Sequence, residues 1–248
     1  MNEYLSYIIL GLVQGLTEFL PVSSSGHLLL LESLGVGEPS IINNLVLHCA
    51  TLLVVLIAYG KKIIALFCHP TCPQARFLLI ATLPTAACAA AIRYFLPDTA
   101  SFLPFFFALN SFVLLLPRFF GPTTPLLTRA PSKALFVGLM QGLACFPGLS
   151  RSGSTSSALL IAGCPRDDTA EYSFLLSIPI ILGSSIVELS GGAAQELTLA
   201  VLPGAAVAFV SGLLALKFFS KILKKGRLYL FSVYTLVLSG LSFFLLFG

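Results

Sequence analysis

Six long apolar segments decide which solvent this chain can fold in. They occupy residues 42–59, 77–96, 102–117, 169–189, 198–216 and 228–247. A helix needs about 20 predominantly apolar residues to cross the hydrocarbon core of a bilayer. Only 10% of the 248 residues are charged and 57% are hydrophobic, whereas soluble domains carry about 25% charged residues. We therefore predict an all-α polytopic membrane protein, with a single membrane domain over residues 1–248 and no soluble domain.

The basic residues predict how these spans are oriented. Twelve of the 14 basic residues fall in four connections between spans. These connections hold Lys61, Lys62 and Arg76; Arg118, Arg129 and Lys133; Arg166; and Lys217, Lys221, Lys224, Lys225 and Arg227. The opposite connections carry Glu3, Glu38, Asp98 and Glu196. Because basic loops of membrane proteins face the cytoplasm, we predict that both termini face outside.

Two further apolar segments, before residue 42 and over residues 134–164, do not fit as spans. Under the predicted topology, the first begins and ends outside and the second begins and ends inside. Each has Gly, Pro and Ser at its centre and halves too short to cross comfortably. Irregular backbone at that depth is tolerated where protein or a water-filled cavity covers it. We predict two re-entrant helical hairpins, one entering from each side.

The two predicted hairpins are copies of one another. Residues 11–26 and 138–153, 127 positions apart, are identical at nine of sixteen positions. Each half, about 1–125 and 126–248, is then a hairpin followed by three spans. Three is an odd number, so we predict an inverted-topology repeat, with a site near the midplane where the broken elements meet. We predict that four glycines serve close helix contact: Gly11, Gly15, Gly138 and Gly142.

The two copies differ at their ionisable positions. Three pairs carry the difference: Glu18 against Cys145, His27 against Ser154, and Ser24 against Arg151. The carboxylate and the imidazole therefore come from one loop and the guanidinium from the other. Charges in the hydrocarbon region cost at least about 2.5 kcal/mol and usually mark function.

Arg151 lies in the segment PGLSRSGST, residues 147–155. A planar guanidinium beside hydroxyl groups and free backbone N–H groups at a helix start is suited to hold phosphate. Further donors would come from Ser150, Ser152, Ser154 and Thr155. The alternative is that Arg151 reaches an interface or pairs structurally with Glu18.

In the first loop, Glu18 and His27 bracket a Pro/Ser stretch. A histidine near a serine can act as its base, as a nucleophile or as an acid for a leaving group. A carboxylate can orient the imidazole or hold a divalent ion. Gln14, one turn before Glu18, could bind metal, water or substrate, or make a structural hydrogen bond. For His48, inside a span, a proton relay and a helix–helix hydrogen bond are both open.

Two segments carry a resemblance to a known family. QGLTEFLPVSSSGH (14–27) and PGLSRSGST (147–155) resemble the two signature motifs of undecaprenyl-diphosphate phosphatases of the bacitracin-resistance type. Residues 47–55 and 167–180 are also similar to that family, so the resemblance covers nearly the whole chain. Two long motifs in the right order are a specific signal.

The resemblance implies a hydrolase of undecaprenyl diphosphate that releases undecaprenyl phosphate and inorganic phosphate. It would recycle the lipid carrier of peptidoglycan synthesis and confer bacitracin resistance. The implied location is the bacterial cytoplasmic (inner) membrane, with the site open to the outer side. The implied partners are a polyprenyl diphosphate lipid and the bilayer, without nucleic acid or organic cofactor. The oligomeric state stays open, a dimer included.

The resemblance also implies roles for matching residues. The catalytic set is Glu18, Ser24, His27 and Arg151. The phosphate-binding set is Ser25, Ser150, Arg151, Ser152 and Thr155. Mg²⁺ or Ca²⁺ would be held by Glu18 and Gln14, but Gln14 is the amide variant at an acidic position, which puts a two-carboxylate metal site in doubt. The nucleophile stays open among Ser24, His27 and water. A competing prediction is a transporter or flippase of a phosphorylated polyprenyl lipid, because inverted repeats with broken helices are typical of transporters.

Overall fold

The computed structural model of the chain describes residues 2–38, 40–96, 100–120, 130–190 and 197–247. Within these ranges the chain is helical and has no strand, which confirms the predicted all-α fold class. The charged residues Asp98, Arg129 and Glu196 of the topology prediction lie outside the described residues. The ten α-helices are α1 (Glu3–Phe19), α2 (Ser24–Ser33), α3 (Ile41–Cys68), α4 (Pro73–Phe95), α5 (Leu103–Leu115), α6 (Pro131–Leu143), α7 (Arg151–Ile161), α8 (Arg166–Ser190), α9 (Val201–Lys224) and α10 (Leu230–Phe247).

Six of these helices are long and apolar enough to cross a bilayer, as predicted: α3, α4, α5 with its flanking 3-10 turns, α8, α9 and α10. The predicted ends are wrong at two of them. Helix α3 continues past residue 59 to Cys68, and α9 continues past residue 216 to Lys224. Lysine is a good helix former, so the basic residues that end the apolar stretch do not end the helix.

The outer surface of the spans is apolar. Large side chains such as Leu83 of α4, Val210 of α9 and Phe244 of α10 are exposed. Exposed apolar patches of this extent do not occur on soluble monomers. The surface of the protein therefore fits a lipid solvent, and the chain is a multi-pass membrane protein.

The remaining four helices form two helix–break–helix units. Helices α1 and α2 have 17 and 10 residues, and α6 and α7 have 13 and 11. All four are shorter than a span, as the sequence predicts. That the two units are re-entrant hairpins stays a prediction, which the lengths and the central breaks support.

The first helix of each unit packs on a span from the other half of the chain. Helices α1 and α9 approach closely at two glycines, where a Cβ on Gly11 would overlap the Gly204 backbone and a Cβ on Gly204 would overlap the Tyr7 backbone. Gly138 of α6 meets the Ala81 backbone of α4 in the same way. The predicted role of the glycines in helix contact is thus confirmed. That the two halves are an inverted repeat stays a prediction.

Candidate active site

The site begins with two helix N-termini that have the same construction. Ser23 caps α2, and its Oγ accepts the backbone N–H of Gly26 at 3.3 Å. Ser150 caps α7, and its Oγ accepts the N–H of Gly153 at 3.1 Å. The first N–H groups of a helix have no intrahelical acceptor and carry partial positive charge. Each unit therefore presents an anion-attracting helix start at its central break.

The two breaks contact each other. Ser23 has a positive φ of 70°, and its Oγ also accepts the N–H of Gly148 from the second break at 3.0 Å. Asn110 of α5, fully buried, donates from Nδ2 to the Pro21 carbonyl at 3.0 Å and accepts the Ser150 N–H at 2.9 Å. One amide thus joins both breaks, so the two helix starts are held together.

Glu18, at the end of α1, lies between the two units. One carboxylate oxygen, Oε1, pairs with Nη2 of Arg151. The other, Oε2, accepts the Ser24 hydroxyl at 2.7 Å and the Gln14 amide at 3.0 Å. Glu18 is buried, and the side chain of Arg151 is 20% exposed. The predicted carboxylate, serine and guanidinium are therefore in one hydrogen-bonded group.

His48 of α3 belongs to the same group. Its Nδ1 lies 2.7 Å from Gln14 Nε2 and 3.3 Å from Glu18 Oε2. Of the two alternatives open for His48, the helix–helix hydrogen bond is present, and it connects α3 to α1 at the carboxylate. The sequence motifs contain no signal for this contact, because His48 lies outside both of them.

His27 faces another direction. Its Nδ1 lies 2.7 Å from the Ser23 carbonyl, and its Nε2 lies 2.8 Å from the Tyr234 hydroxyl of α10. A carbonyl only accepts, so Nδ1 carries a hydrogen, and when the ring is neutral Nε2 accepts from the Tyr234 hydroxyl. The Tyr234 ring also stacks on the imidazole, with centroids 5.7 Å apart.

Of the two roles open for the Glu18 carboxylate, orienting the His27 imidazole and holding a divalent ion, the first is not seen in this geometry. Both hydrogen bonds of His27 go to other groups, the Ser23 carbonyl and Tyr234. The physical reason is the break itself. Helix α2 starts at Ser24, which meets Glu18 directly, whereas His27 is one turn further on and turns its ring toward α5 and α10.

The hydroxyl groups predicted to bind phosphate are engaged with the protein. Ser152 Oγ donates to the Leu20 carbonyl at 3.0 Å. Ser150 Oγ lies 3.1 Å from Ser152 Oγ, and Thr155 Oγ1 donates to the Arg151 carbonyl at 2.6 Å. A hydroxyl has one hydrogen to donate, so these groups fix the loop geometry as it stands. Their role in phosphate binding stays a prediction.

Ser25 differs from Ser150, Ser152 and Thr155 because it is exposed. Its Oγ lies 3.4 Å from Ser23 Oγ, which is a long contact. Its hydroxyl is therefore free to turn toward a ligand in front of α2. The role of Ser25 in phosphate binding stays a prediction as well.

Two buried polar atoms in this group have no hydrogen-bond partner in the described part of the chain. They are Nη1 of Arg151 and Oε1 of Gln14. Such atoms cost free energy unless a ligand or water satisfies them. An unpaired guanidinium N–H at a helix start requires an acceptor, and a phosphate oxygen is a strong one.

The donor set for a divalent ion is small. No group of three His, Cys, Asp or Glu side chains gathers in the described ranges. Glu18 and the unpaired Gln14 Oε1 are the oxygen donors, and Arg151 already balances the Glu18 charge. Mg²⁺ is often bound by one or two protein carboxylates plus substrate phosphates. The residues fit such an ion only together with phosphate oxygens of a bound substrate.

Sequence reasoning missed two residues that support the site, Asn110 and Tyr234. Asn110 lies in the run FFFALNSF, and a lone amide within an apolar span is a signal of a buried polar contact that could have found it. Tyr234 has no such signal, because tyrosine is common near membrane interfaces.

Comparisons with known proteins identify the family of the chain. A family model described as bacitracin resistance protein BacA matches residues 7–241. A relative named undecaprenyl-diphosphatase from Carboxydothermus hydrogenoformans is 39% identical over 249 residues, 96% of this chain and 95% of that protein. One of the same name from Halothermothrix orenii is 37% identical over 243 residues, 94% of each chain. A third, from Korarchaeum cryptofilum, is 35% identical over 255 residues, 95% of this chain and 96% of that protein.

Proposed function

This chain belongs to the bacitracin resistance protein BacA family, and from that membership we propose how its site acts. The resemblance carried by the two motifs is confirmed. The protein is an undecaprenyl-diphosphatase: it hydrolyses undecaprenyl diphosphate to undecaprenyl phosphate and inorganic phosphate, as its relatives' name describes. This reaction returns the lipid carrier to cell-wall synthesis and accounts for the link to bacitracin resistance. The observation that carries the site assignment is the Glu18 carboxylate, shared between Ser24 and Arg151.

The diphosphate binds where the starts of α2 and α7 meet. Arg151 is oriented by Glu18 through Nη2, and this leaves its buried Nη1 for a phosphate oxygen. The helix N-termini add N–H donors and partial positive charge to the same place. Phosphoryl transfer depends mainly on positioning and on neutralising the charge of the transferred group. The isoprenoid tail lies between the spans in the apolar phase.

Ser24 is the nucleophile in this proposal. Its Oγ attacks the terminal phosphorus, the proton passes to Glu18 Oε2 over the 2.7 Å hydrogen bond, and the bond to the bridging oxygen breaks. Undecaprenyl phosphate leaves, and a phosphoserine remains. Water then attacks this phosphorus, Glu18 Oε2 returns the proton to Ser24 Oγ as the bond between that oxygen and phosphorus breaks, and inorganic phosphate is released. The water proton reaches His27 Nε2 through the Tyr234 hydroxyl, which donates its own hydrogen to that nitrogen.

A divalent ion fits this site in a supporting role. Glu18 and Gln14 would hold Mg²⁺ or Ca²⁺ together with oxygens of the bound diphosphate, and the ion would supply further neutralisation of phosphate charge. Arg151 pairs with the Glu18 carboxylate that the ion would also bind. Phosphate release should therefore be measured with and without a chelator. Loss of release in the presence of the chelator would mean that the ion is required.

We further propose that the protein is in the cytoplasmic membrane, with both termini outside and the site open to the outer side through the first unit. The support is the charge distribution, since 12 of the 14 basic residues fall on one side of the spans. A C-terminal reporter that is active only in the cytoplasm should be inactive. An active cytoplasmic reporter would overturn the orientation.

The decisive experiment is a single turnover of undecaprenyl diphosphate labelled in its terminal phosphate. Acid quenching should trap labelled protein in wild type, and Ser24→Ala should remove both the label and the phosphate release. Ser33→Ala, a serine at the end of α2 away from the group, is the matched control. Release without label in wild type would replace Ser24 by water as the nucleophile. Binding of the lipid without any phosphate release would instead favour a transporter.

A further inference from the structure

A second cationic site lies at the opposite end of α7 from Arg151. Three connections meet there: the end of α5 with its 3-10 turn, the α7–α8 turn and the α9–α10 turn. They enclose a cavity of about 350 Å³. Helix α7 has 11 residues and an α-helix rises about 1.5 Å per residue. The length of α7 therefore separates this cavity from the hydrogen-bonded group around Glu18 and Arg151.

The rim of the cavity is basic. Arg118, Arg166 and Lys225 line it. Among the described residues, no carboxylate lies within ion-pair distance of these three cations. The nearby Asp167 pairs with Lys224 instead, at 3.3 Å. The rim thus carries three cations that have no ion-pair partner among the described residues, and such a cluster attracts an anion.

Two of the cations are held in place by specific contacts. The guanidinium of Arg118 lies over the Tyr229 ring, with Cζ 4.9 Å from the ring centroid. The guanidinium of Arg166 lies against Gly226, where a Cβ would be 2.5 Å from Nη1. Gly226 has a φ of 65°, which favours glycine on its own account. These contacts orient the guanidinium groups, unlike those of freely moving surface arginines.

The floor of the cavity is apolar. It is formed by leucines of four helices and turns: Leu114, Leu160, Leu223 and Leu228. A soluble anion makes no apolar contacts with these leucines, whereas a lipid has a phosphate group joined to apolar chains that can contact them. Basic pockets between membrane helices bind anionic lipid headgroups. The geometry therefore points to a lipid and not to a free anion.

We propose that this cavity binds the phosphate headgroup of an anionic phospholipid from the leaflet on the basic side of the protein. The phosphate contacts Arg118, Arg166 and Lys225, and the start of an acyl chain lies on the leucine floor. The bound lipid joins the three connections that meet there. This site does not depend on the hydrolytic assignment, since none of its residues belongs to the catalytic group.

The test uses the purified full chain in neutral detergent, titrated with phosphatidylglycerol, with phosphatidylcholine of the same acyl chains, or with inorganic phosphate. Native mass spectrometry counts bound lipid, and thermal unfolding gives the shift of Tm. Phosphatidylglycerol should bind at one saturable site and raise Tm, and the other two should not. Equal binding of both lipids, or phosphate acting alone, would overturn the proposal.

The variant that tests the residues combines Arg118→Gln, Arg166→Gln and Lys225→Gln. It should weaken phosphatidylglycerol binding about a hundredfold, because each basic group near an anionic lipid contributes to binding. The matched control, Lys61→Gln with Lys217→Gln and Lys221→Gln, removes three exposed charges from the same side and should change binding less than about twofold. Equal losses in both would mean a diffuse surface effect and reject the site. If the triple variant fails to fold, the three single variants serve, each with a smaller loss.

Discussion

The two helix–break–helix units are built alike and carry different chemistry. Ser23 and Ser150 cap the second helix of each unit through the same kind of bond, to Gly26 and Gly153. The first helix of each packs by glycine on a span of the other half. Yet one unit contributes a carboxylate, a serine and an imidazole, and the other a guanidinium. The shared construction brings two helix starts together, and in the proposed mechanism the residues that differ between the units carry out the reaction.

The buried glutamines give the clearest contrast between the units. Gln14 bonds to Glu18 and His48, both ionisable, and its Oε1 has no partner. Gln141, the equivalent residue, donates to Thr85 Oγ1 at 3.2 Å and to the Leu176 carbonyl at 3.3 Å. The same residue type therefore contacts two ionisable side chains in one unit, and a hydroxyl group and a carbonyl group in the other.

Removing the cation at the break of the second unit should have the largest effect. Arg151→Ala should abolish turnover, with a loss of about 10³-fold or more, because the transferred phosphate loses its cation. It also leaves Glu18 buried without its partner, which should cost about 3–5 kcal/mol of stability. Phosphate release and thermal unfolding measure the two effects.

A double variant separates catalysis from folding at this pair. Arg151→Gln with Glu18→Gln removes both charges together and leaves no unpaired ion. It should unfold near the wild-type temperature and stay inactive. If it is unstable as well as inactive, the pair is needed for folding, and inactivity says nothing about phosphate binding.

The next largest effect should come from the imidazole of the first unit. His27→Ala should lower turnover about 10²-fold, because dephosphorylation of Ser24 loses its proton acceptor. Labelled phosphoserine should then accumulate in a single turnover, unlike in Ser24→Ala. Ser33→Ala, at an exposed position at the end of α2, is the control and should keep most of the activity. Near-wild-type turnover of His27→Ala would remove His27 from the mechanism.

Replacing the amide by a carboxylate should change the Mg²⁺ requirement at one glutamine and the stability of the protein at the other. Gln14→Glu adds a second carboxylate beside Glu18, so half-maximal activity should need about tenfold less Mg²⁺. Gln141→Glu buries a charge between Thr85 and a carbonyl, and it should lower stability by about 3 kcal/mol. Metal titration and thermal unfolding test the pair. The same response at both positions would contradict the division of roles.

Much of this arrangement follows from the sequence, and the reasons are local. The apolar segments, the broken units and the ionisable residues Glu18 and Arg151 could be predicted, because apolar length and charges inside it leave few alternatives. Ser24 could be predicted only through the resemblance of its motif to a known family. The contacts that residues from distant spans make with this site could not be predicted. His48 and Asn110 reach the site only because α3 and α5 pack against the breaks, and single-sequence patterns do not contain that packing.

Tyr234 is the third such residue, and it gives the smallest expected effect. Tyr234→Phe should lower kcat about threefold to tenfold and leave KM unchanged, because it removes one hydrogen bond to His27 Nε2. The loss is modest because a water molecule can take the place of the hydroxyl. The exposed Tyr94 supplies the control variant, Tyr94→Phe. If Tyr234 acts through His27, the double variant with His27→Ala should be no slower than His27→Ala alone. Independent, multiplying losses would show that Tyr234 acts elsewhere, and the first unit would then work without help from α10.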